Sequence, residues 1–285
     1  MLHVKVNATS ANVCVGFDVL GIALDLANCF TFEKRAAFSF CGFEPAYCCK
    51  ENNLVYKAYC KVFEYINIEP IPVEIGFAGD IPVSRGLGSS SSLIVAGMFG
   101  ANAMAGKPLS VEQLYNLCCE MEGHPDNVAP AIYGGFIASY QTEQGYKSIS
   151  YPVHRDLKLI AVIPPVKLST HEARAVLPKT LEYRDIVHNL SRIIHLPKAF
   201  SEGNVEFLRE LFDDRLHEPY RGKLIPGYQE IKEICRKEKV AFAISGSGSS
   251  MLIIAKDEAI VSKLKKFKYD IKVLEIGQGV QIWEG

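Results

Sequence analysis

Two successive α+β units, each with helices against one face of a largely antiparallel sheet, are the fold class that this sequence predicts. Three observations carry that prediction. Strand-like and helix-like stretches alternate along the chain. A polar stretch from Gln141 to Ser150, followed by the apolar run Leu157 to Ile163 and by Pro164-Pro165, divides it near residue 155, giving expected units of 1–155 and 156–285. Finally, 48% hydrophobic and 22% charged residues over 285 positions are the proportions of a folded globular protein rather than a disordered one.

The elements follow in order. Leu2, Val4 and Val6 alternate with polar residues, the period of a half-buried strand over Leu2 to Asn7; Cys29 to Arg35, Ala36 to Cys41 and Val73 to Gly79 are expected as further strands. Leu54, Val55, Ala58, Tyr59, Val62, Phe63 and Ile66 recur at helical spacing. Either Asn52 or Asn53 is suited to cap that helix. Ser110 with Gln113 forms a capping box that opens a helix toward Glu122; Gly134-Gly135 then breaks the pattern before a strand at Phe136 to Tyr140. Past the boundary come a strand at Leu157 to Ile163, helical segments to about Lys237, strands at Val240 to Ser245 and Met251 to Ala255, a helix from Asp257 and a strand at Ile271 to Ile276. That order is a split βαβ, or ferredoxin-like, layout with added helices.

Charge and cysteine usage exclude several functions. Thirty-one Lys and Arg against 32 Asp and Glu leave a net charge of -1, so no basic stripe exists to hold nucleic acid or an anionic membrane. The nine cysteines are odd in number and show neither CxxC pairs nor zinc-type spacing, which reads as reduced thiols in a cytoplasmic protein. The first residues lack the basic, apolar and small-residue order of a signal peptide. The uncharged run Gly86 to Gly106 reaches spanning length but holds five glycines, four serines and Asn102, so a buried helix preceded by a loop is the better reading.

That loop is the most informative segment. Pro82, Val83, Ser84, Arg85, Gly86, Leu87, Gly88, Ser89, Ser90, Ser91 and Ser92 lead directly into the apolar helical run Leu93, Ile94, Val95, Ala96 and Met98. Glycines permit close backbone approach, hydroxyls add donors, and free N–H groups at a helix start favour bound phosphate. No Lys follows the last Gly, so it is not a Walker loop, and a Ser/Gly-rich turn capping a core helix is the plainer alternative.

The loop resembles the PxxxGLGSSxx motif of the GHMP kinases. Val6 to Gly21, running VNATSANVCVGFDVLG, is similar to the VPATSANLGPGFDxLG opening of the homoserine kinase branch of that family, with Asn7 in place of Pro and Val13-Cys14-Val15 in place of Leu-Gly-Pro. Ser245, Gly246, Ser247 and Gly248 resemble the third GHMP motif, a Gly-rich turn between two strands that meets the phosphate loop. Glu122 to Pro130, Ser169 to Pro178 and Glu218 to Arg221 resemble segments of the same branch, so the likeness runs from residue 6 to residue 250.

The resemblance implies an ATP-dependent alcohol phosphotransferase of the two-domain GHMP kinase fold, with a ribosomal-protein-S5-domain-2-like N-terminal unit and a ferredoxin-like C-terminal one. It implies transfer of the γ-phosphoryl group of ATP to L-homoserine, in threonine biosynthesis, with Mg2+ as cofactor, and it leaves room for a homodimer; another small-alcohol kinase of the family is the alternative. ATP would lie over residues 82–92 with Asn53 near the base, and the metal on Ser90 and Glu122. L-Homoserine is a zwitterion: Arg174 and Arg221 would grip its carboxylate, Asp18 its ammonium, and Asn12, His124, Asn127 and Thr170 would complete the hydrogen bonds. Taken without the family, His124 is equally a helix cap or a stray metal ligand, and Asp126 a base; the family implies no dedicated base, which leaves Asp126 for positioning.

Overall fold

A computed structural model describes residues 1–285. The chain opens with β1 (Leu2–Ala11) and the long β2 (Leu20–Lys34), followed by β3 (Ser39–Cys41), α1 (Leu54–Tyr65), β4 (Val73–Gly79), α2 (Ser89–Met104), α3 (Val111–Glu122), α4 (Val128–Tyr133), β5 (Phe136–Thr142) and β6 (Gly145–Tyr151). Next come β7 (Lys158–Ile163), α5 (Thr170–Ala175), α6 (Tyr183–Ile193), α7 (Leu196–Glu202), α8 (Val205–Leu211), α9 (Glu218–Arg221), α10 (Tyr228–Lys237), β8 (Ala241–Ile244), β9 (Met251–Ala255), α11 (Ala259–Leu264), β10 (Asp270–Leu274) and β11 (Gln281–Glu284). No helix is long and apolar enough to cross a membrane.

The first sheet has the order β11-β1-β2-β4-β3, with β5 and β6 branching from the start of β2. Three local expectations change here. Cys29 to Arg35 is the second half of β2 rather than a separate strand, because the apolar pattern extends upstream through Leu20, Ile22 and Leu24, all buried. Ala36 and Ala37 are exposed and unpaired, so the strand expected over Ala36 to Cys41 shrinks to β3. Gln141 to Ser150 is no linker: it turns tightly at Glu143-Gln144 and returns as β6, register Gln141 against Tyr146. Its polarity reflects a hairpin at a sheet edge, whose outer face meets water.

The second sheet is antiparallel throughout, in the order β10-β7-β9-β8. That is the split βαβ arrangement, with α10 and α11 as its helices and α5 to α9 inserted after β7. Helices do not stay on one face of it. Leu159, Ala161, Leu252 and Ile254 pack with Phe200 of α7, Leu208 of α8 and with Ile22 and Leu24 of the first sheet, while Ile160, Val162, Met251 and Ile253 pack under Ile231 of α10 and Ile260 of α11. Continuous apolar strands such as LIAVI and MLIIA are buried on both sides, unlike alternating ones. One core therefore spans both sheets, and β11 carries the chain end back to β1. The first sheet's other face is closed by α1, α2 and α3 over 29 buried residues.

Candidate active site

Gly88 is the N-cap of α2 and, like Gly86, is left-handed, with φ of 69° and 71°. The crowding that requires these glycines comes from the protein itself: a Cβ at Gly86 would lie 2.1 Å from the Ser245 carbonyl oxygen, and one at Gly88 1.9 Å from Thr9 Oγ1. The loop is thus clamped between β1 and the turn after β8, and Ser245 Oγ donates to the Gly86 carbonyl at 2.7 Å. The N–H groups of the first turn have no intrahelical acceptor, and the first regular bond is Ser92 N–H to Gly88 O at 2.9 Å. That turn has no acidic residue of its own, so its positive end favours an anion in the cleft.

This helix start opens on a cleft of about 510 Å3 between the two sheets. Of the residues singled out from sequence, Asn12, Asp18, Asn53, Val83, Ser84, Arg85, Gly86, Gly88, Ser89, Ser90, Glu122, His124, Asp126, Asn127, Thr170, Arg174, Arg221, Gly246 and Ser247 line it. Pro82, Leu87, Ser91, Ser92, Ser245 and Gly248 do not, and stand in the wall behind. Ser92 is buried and committed to Asn28 and to the Ser89 carbonyl, and Leu87 is a core residue. One end of the cleft is apolar, walled by Phe43, Tyr47, Leu54, Val55, Phe77 and Leu93, none of which a motif announced. Asn53 sits beside it, 1% exposed, and its side chain is engaged at both ends: Oδ1 accepts from Tyr56 N–H at 3.0 Å as the cap of α1, and Nδ2 donates to the Tyr47 carbonyl at 2.9 Å.

Glu122 ends α3, where left-handed Gly123 stops the helix and turns its carboxylate toward the loop. Ser90 Oγ donates to Glu122 Oε2 at 2.8 Å and Ser91 Oγ to Oε1 at 2.7 Å, which puts hard oxygen donors from two helices together. His124 Nδ1 pairs with Asp126 Oδ1 at 2.8 Å. Burial opposes a charge on His124, but the Asp126 hydrogen bond and the charges of Asp126, Glu122 and Asp18 outweigh it and raise its pKa above the usual imidazole range.

The far end of the cleft gathers charge. Residues Asn12, Val13 and Cys14 are all left-handed, with φ of 69°, 41° and 65°, at the segment where this chain departs from the motif. A β-branched residue in that region is strained, and here the strain aims Asn12, whose Nδ2 donates to the Gly246 carbonyl at 2.9 Å while Oδ1 accepts from Asp18 N–H at 3.0 Å. A capping box of Ser169 and Glu172 starts α5 and presents Arg174, which pairs with Asp18 through two bonds of 2.7 and 3.0 Å. The Asp18 hydrogen bond, opposed by partial burial, raises the Arg174 pKa further.

Arg221, only 2% exposed, has no carboxylate partner; it donates to the carbonyls of Ala173 at 3.1 Å and Gly246 at 3.2 Å. Burial first, then repulsion from Arg174, lowers its pKa to about 10, so it stays a cation at neutral pH. Phe17 lies beneath both guanidiniums, 5.5 Å from Arg174 and 5.1 Å from Arg221; it belongs to the matched opening motif, but the resemblance gave it no role.

Behind Arg221 lies a buried polar network that sequence reasoning missed. Asp214 Oδ2 accepts the N–H groups of Leu216, His217 and Glu218 and so holds the start of α9, and Glu218 accepts from Ile244 N–H at 2.6 Å and Tyr228 OH at 3.0 Å. Burial, then the Asp214 charge, pushes the Glu218 carboxyl up to about 7. Asp214, His217 and Glu218 sit three to seven positions before Arg221, Tyr228 follows it and Ile244 lies on β8, and only Glu218 fell in a recognised motif.

A helix start facing an apolar slot on one side and two arginines on the other is an arrangement that suits a nucleotide-dependent transferase, and the family matches show that class. The GHMP kinases N-terminal domain model matches residues 53–135 and the GHMP kinases C-terminal model residues 198–269. The chain is 43% identical over 280 residues to the homoserine kinase of Clostridium beijerinckii, covering 96% of this chain and 93% of that one. It is 41% identical over 268 residues to the homoserine kinase of Picosynechococcus sp., covering 90% and 88%. The crystal structure of homoserine kinase from Cytophaga hutchinsonii superposes with a TM-score of 0.85 at 28% identity, covering 99% and 97%. The chain belongs to the homoserine kinase family of the GHMP kinases, and it is an ATP-dependent kinase.

Proposed function

We propose that the cleft holds ATP with its base in the slot between Tyr47 and Phe77 and its phosphates over residues 82–92, and holds L-homoserine between Asp18, Arg174 and Arg221. The γ-phosphoryl group then passes directly to the homoserine hydroxyl, giving O-phospho-L-homoserine and ADP for cytoplasmic threonine synthesis. The observation that carries this reading is the Arg174–Asp18 pair beside unpaired Arg221. A zwitterion exchanges that pair without changing net charge: its carboxylate takes Arg174 and Arg221, its ammonium takes Asp18, and the ion pair that fills the pocket is replaced by two of the same kind. A neutral alcohol has no such exchange to offer.

Ser90 and Glu122 suit Mg2+, which takes hard oxygen ligands and keeps waters and phosphate oxygens for the rest of its shell. No group of three or more His, Cys, Asp or Glu could hold a metal alone, so such an ion would depend on the nucleotide for its remaining ligands. When bound, Mg2+ neutralises charge on the transferring phosphates. The chain's own part is positioning: the α2 N–H groups receive phosphate, the arginines fix the acceptor, and Asp126, occupied by His124, holds that imidazole at the cleft rather than taking a proton. Asn127 is fixed by Thr9 at 2.7 Å, and Thr170 stands at the cleft rim.

ADP release measured against a panel of L-homoserine, L-serine, homoserinol, mevalonate and galactose tests this. The expected result is a preference for L-homoserine over each of the others by at least about tenfold. Equal turnover with a neutral alcohol would overturn the acceptor assignment and leave a GHMP kinase of another small alcohol.

A further inference from the structure

Two buried side chains hold the strained turn at the acceptor end. The Cys14 carbonyl accepts from His217 Nε2 at 2.8 Å, and the Val15 carbonyl accepts from Asn189 of α6 at 3.2 Å. Both side chains are tied to Asp214: Asn189 donates to its Oδ1 at 2.7 Å, and its Oδ2 accepts the His217 N–H at 2.7 Å. The helix α6 thus turns this polar side inward and leaves the apolar stripe of Val187 and Leu190 exposed. Of the two holders, only His217 also reaches an arginine of the cleft.

His217 is fully buried. A carbonyl can only accept, so the bond to Cys14 puts the imidazole proton on Nε2. Burial, opposed by the Asp214 charge and assisted by that of Arg221, lowers the pKa of the ring, which is therefore neutral and keeps a lone pair on Nδ1. That lone pair faces Arg221, whose nearest guanidinium nitrogen is 3.5 Å away. The flank of the imidazole meets Phe17 at a centroid distance of 5.3 Å, and Phe17 is the ring beneath both guanidiniums.

We infer that His217 is a positioning residue for the acceptor: holding the Asn12–Cys14 turn at one ring nitrogen and Arg221 at the other, it sets the separation between Asp18 and Arg221 and so selects alcohols that carry both an ammonium and a carboxylate. The inference rests on the acceptor reading proposed above. The bonds that carry it close on themselves. Arg221 and Asn12 Nδ2 donate to the same Gly246 carbonyl, Asn12 Oδ1 accepts from Asp18 N–H, and the backbone from Asn12 to Cys14 leads back to His217. Because Asn12, Val13 and Cys14 are all left-handed, the turn is held against strain and relaxes once this tie is cut. Relaxation shifts Asp18 relative to Arg221. A zwitterion must match both groups at once, whereas an alcohol with one charge needs only one of them.

Steady-state kinetics of the full chain with L-homoserine and with homoserinol test this. His217→Leu fills a similar volume without either bond; KM for L-homoserine should rise about thirtyfold, with KM for ATP within about twofold and kcat/KM for homoserinol within about threefold. The homoserine-to-homoserinol ratio should then shrink at least about tenfold. His217→Gln can donate to the Cys14 carbonyl again and should recover most of the ratio, which a merely structural role would not require. Should His217→Leu fail to fold, His217→Asn, too short to reach Cys14, takes its place with the same expected loss. A parent that does not prefer L-homoserine removes the acceptor reading, and this inference with it. A parent that does, with a Leu or Asn variant that keeps the parental ratio, overturns this inference alone. So does an equal loss for both alcohols with a raised KM for ATP, or a Gln variant no better than the others.

Discussion

At the proposed nucleotide end of the cleft, the groups offered to phosphate are backbone N–H groups of one continuous loop and helix start, whereas the proposed acceptor end brings Asn12 and Asp18, Arg174, and Arg221 from three segments of both halves of the chain. The first is one continuous segment with two left-handed glycines, clamped from behind by Thr9 and Ser245. The second exists only when β8 meets β1 and α5 meets the turn after β1, and each of its charges is held by another residue. The difference teaches where each end should fail. Changes at the nucleotide end should alter transfer, while changes at the acceptor end should alter the choice of substrate.

The largest expected effect is on transfer. Glu122→Gln can still contact both Ser90 and Ser91, one of them as a donor from its amide N–H, but removes the charge that would hold a metal, so kcat should fall roughly 100- to 1,000-fold, with KM for homoserine within about twofold. A parental rate in Mg2+ would make Glu122 a carboxylate that merely ties two helices together.

The acceptor end is probed by the ratio of kcat/KM for homoserine to that for homoserinol. Loss of one charge-assisted contact in a desolvated pocket costs about 2 to 5 kcal/mol, so Arg174→Ala and Arg221→Ala should each shrink the parental ratio about thirtyfold. Arg221→Lys should not restore it, since an ammonium has its three donors on one nitrogen and cannot reproduce the planar fork that reaches the Ala173 and Gly246 carbonyls from two nitrogens and still offers a bidentate grip to a carboxylate. Equal ratios in parent and variants would show that neither arginine reads the carboxylate.

A smaller effect concerns the network behind Arg221. Glu218 has a folded pKa near 7 against 4.5 for an ordinary glutamate, so the folded state binds more protons between those values. Its contribution to stability is therefore complete below about pH 4.5 and is lost as pH rises toward 7. Glu218→Gln keeps an acceptor for Ile244 N–H and removes the titration, so Tm of the parent should fall several degrees more than that of the variant between pH 5 and pH 8. Parallel Tm curves for the two chains would mean that Glu218 is ionised throughout.

The smallest effect tests whether Asn53 acts on the base or on the helix. Asn53→Ala removes the α1 cap and should cost about 1 kcal/mol of stability, with KM for ATP nearly unchanged because both side-chain atoms are already bonded within the protein. A rise in KM for ATP of about tenfold without loss of stability would reverse that assignment.

Much of the site could be read from residue order because its parts are short and sterically demanding. The phosphate loop needs glycine at left-handed positions followed by an apolar helix, and the Ser110–Gln113 capping box marks the start of the helix that delivers Glu122. Other parts left no local mark. The hairpin at Gln141 to Ser150 reads as a linker because its strands face water, and the apolar wall formed by Phe43, Tyr47 and Phe77 comes from scattered aromatics that also suit a core. Phe17 beneath the two guanidiniums, and Asp214 at the head of α9, have meaning only through partners distant in sequence.

By itself, then, the sequence determined the α+β class, the order of the elements, the phosphate loop and the set of polar residues from which the acceptor end is made, since these rest on periodicity, caps and motifs spanning a few residues. Tertiary structure alone decided that the two sheets share one core, that Arg174 is paired with Asp18 while Arg221 is buried against two carbonyls, and that α6 turns its apolar stripe outward. The physical reason is one of range. Hydrogen-bonding partners at these positions come from segments 25 to 174 residues away, and a side chain's charge state and neighbours are properties of the packed chain, which no local spacing encodes.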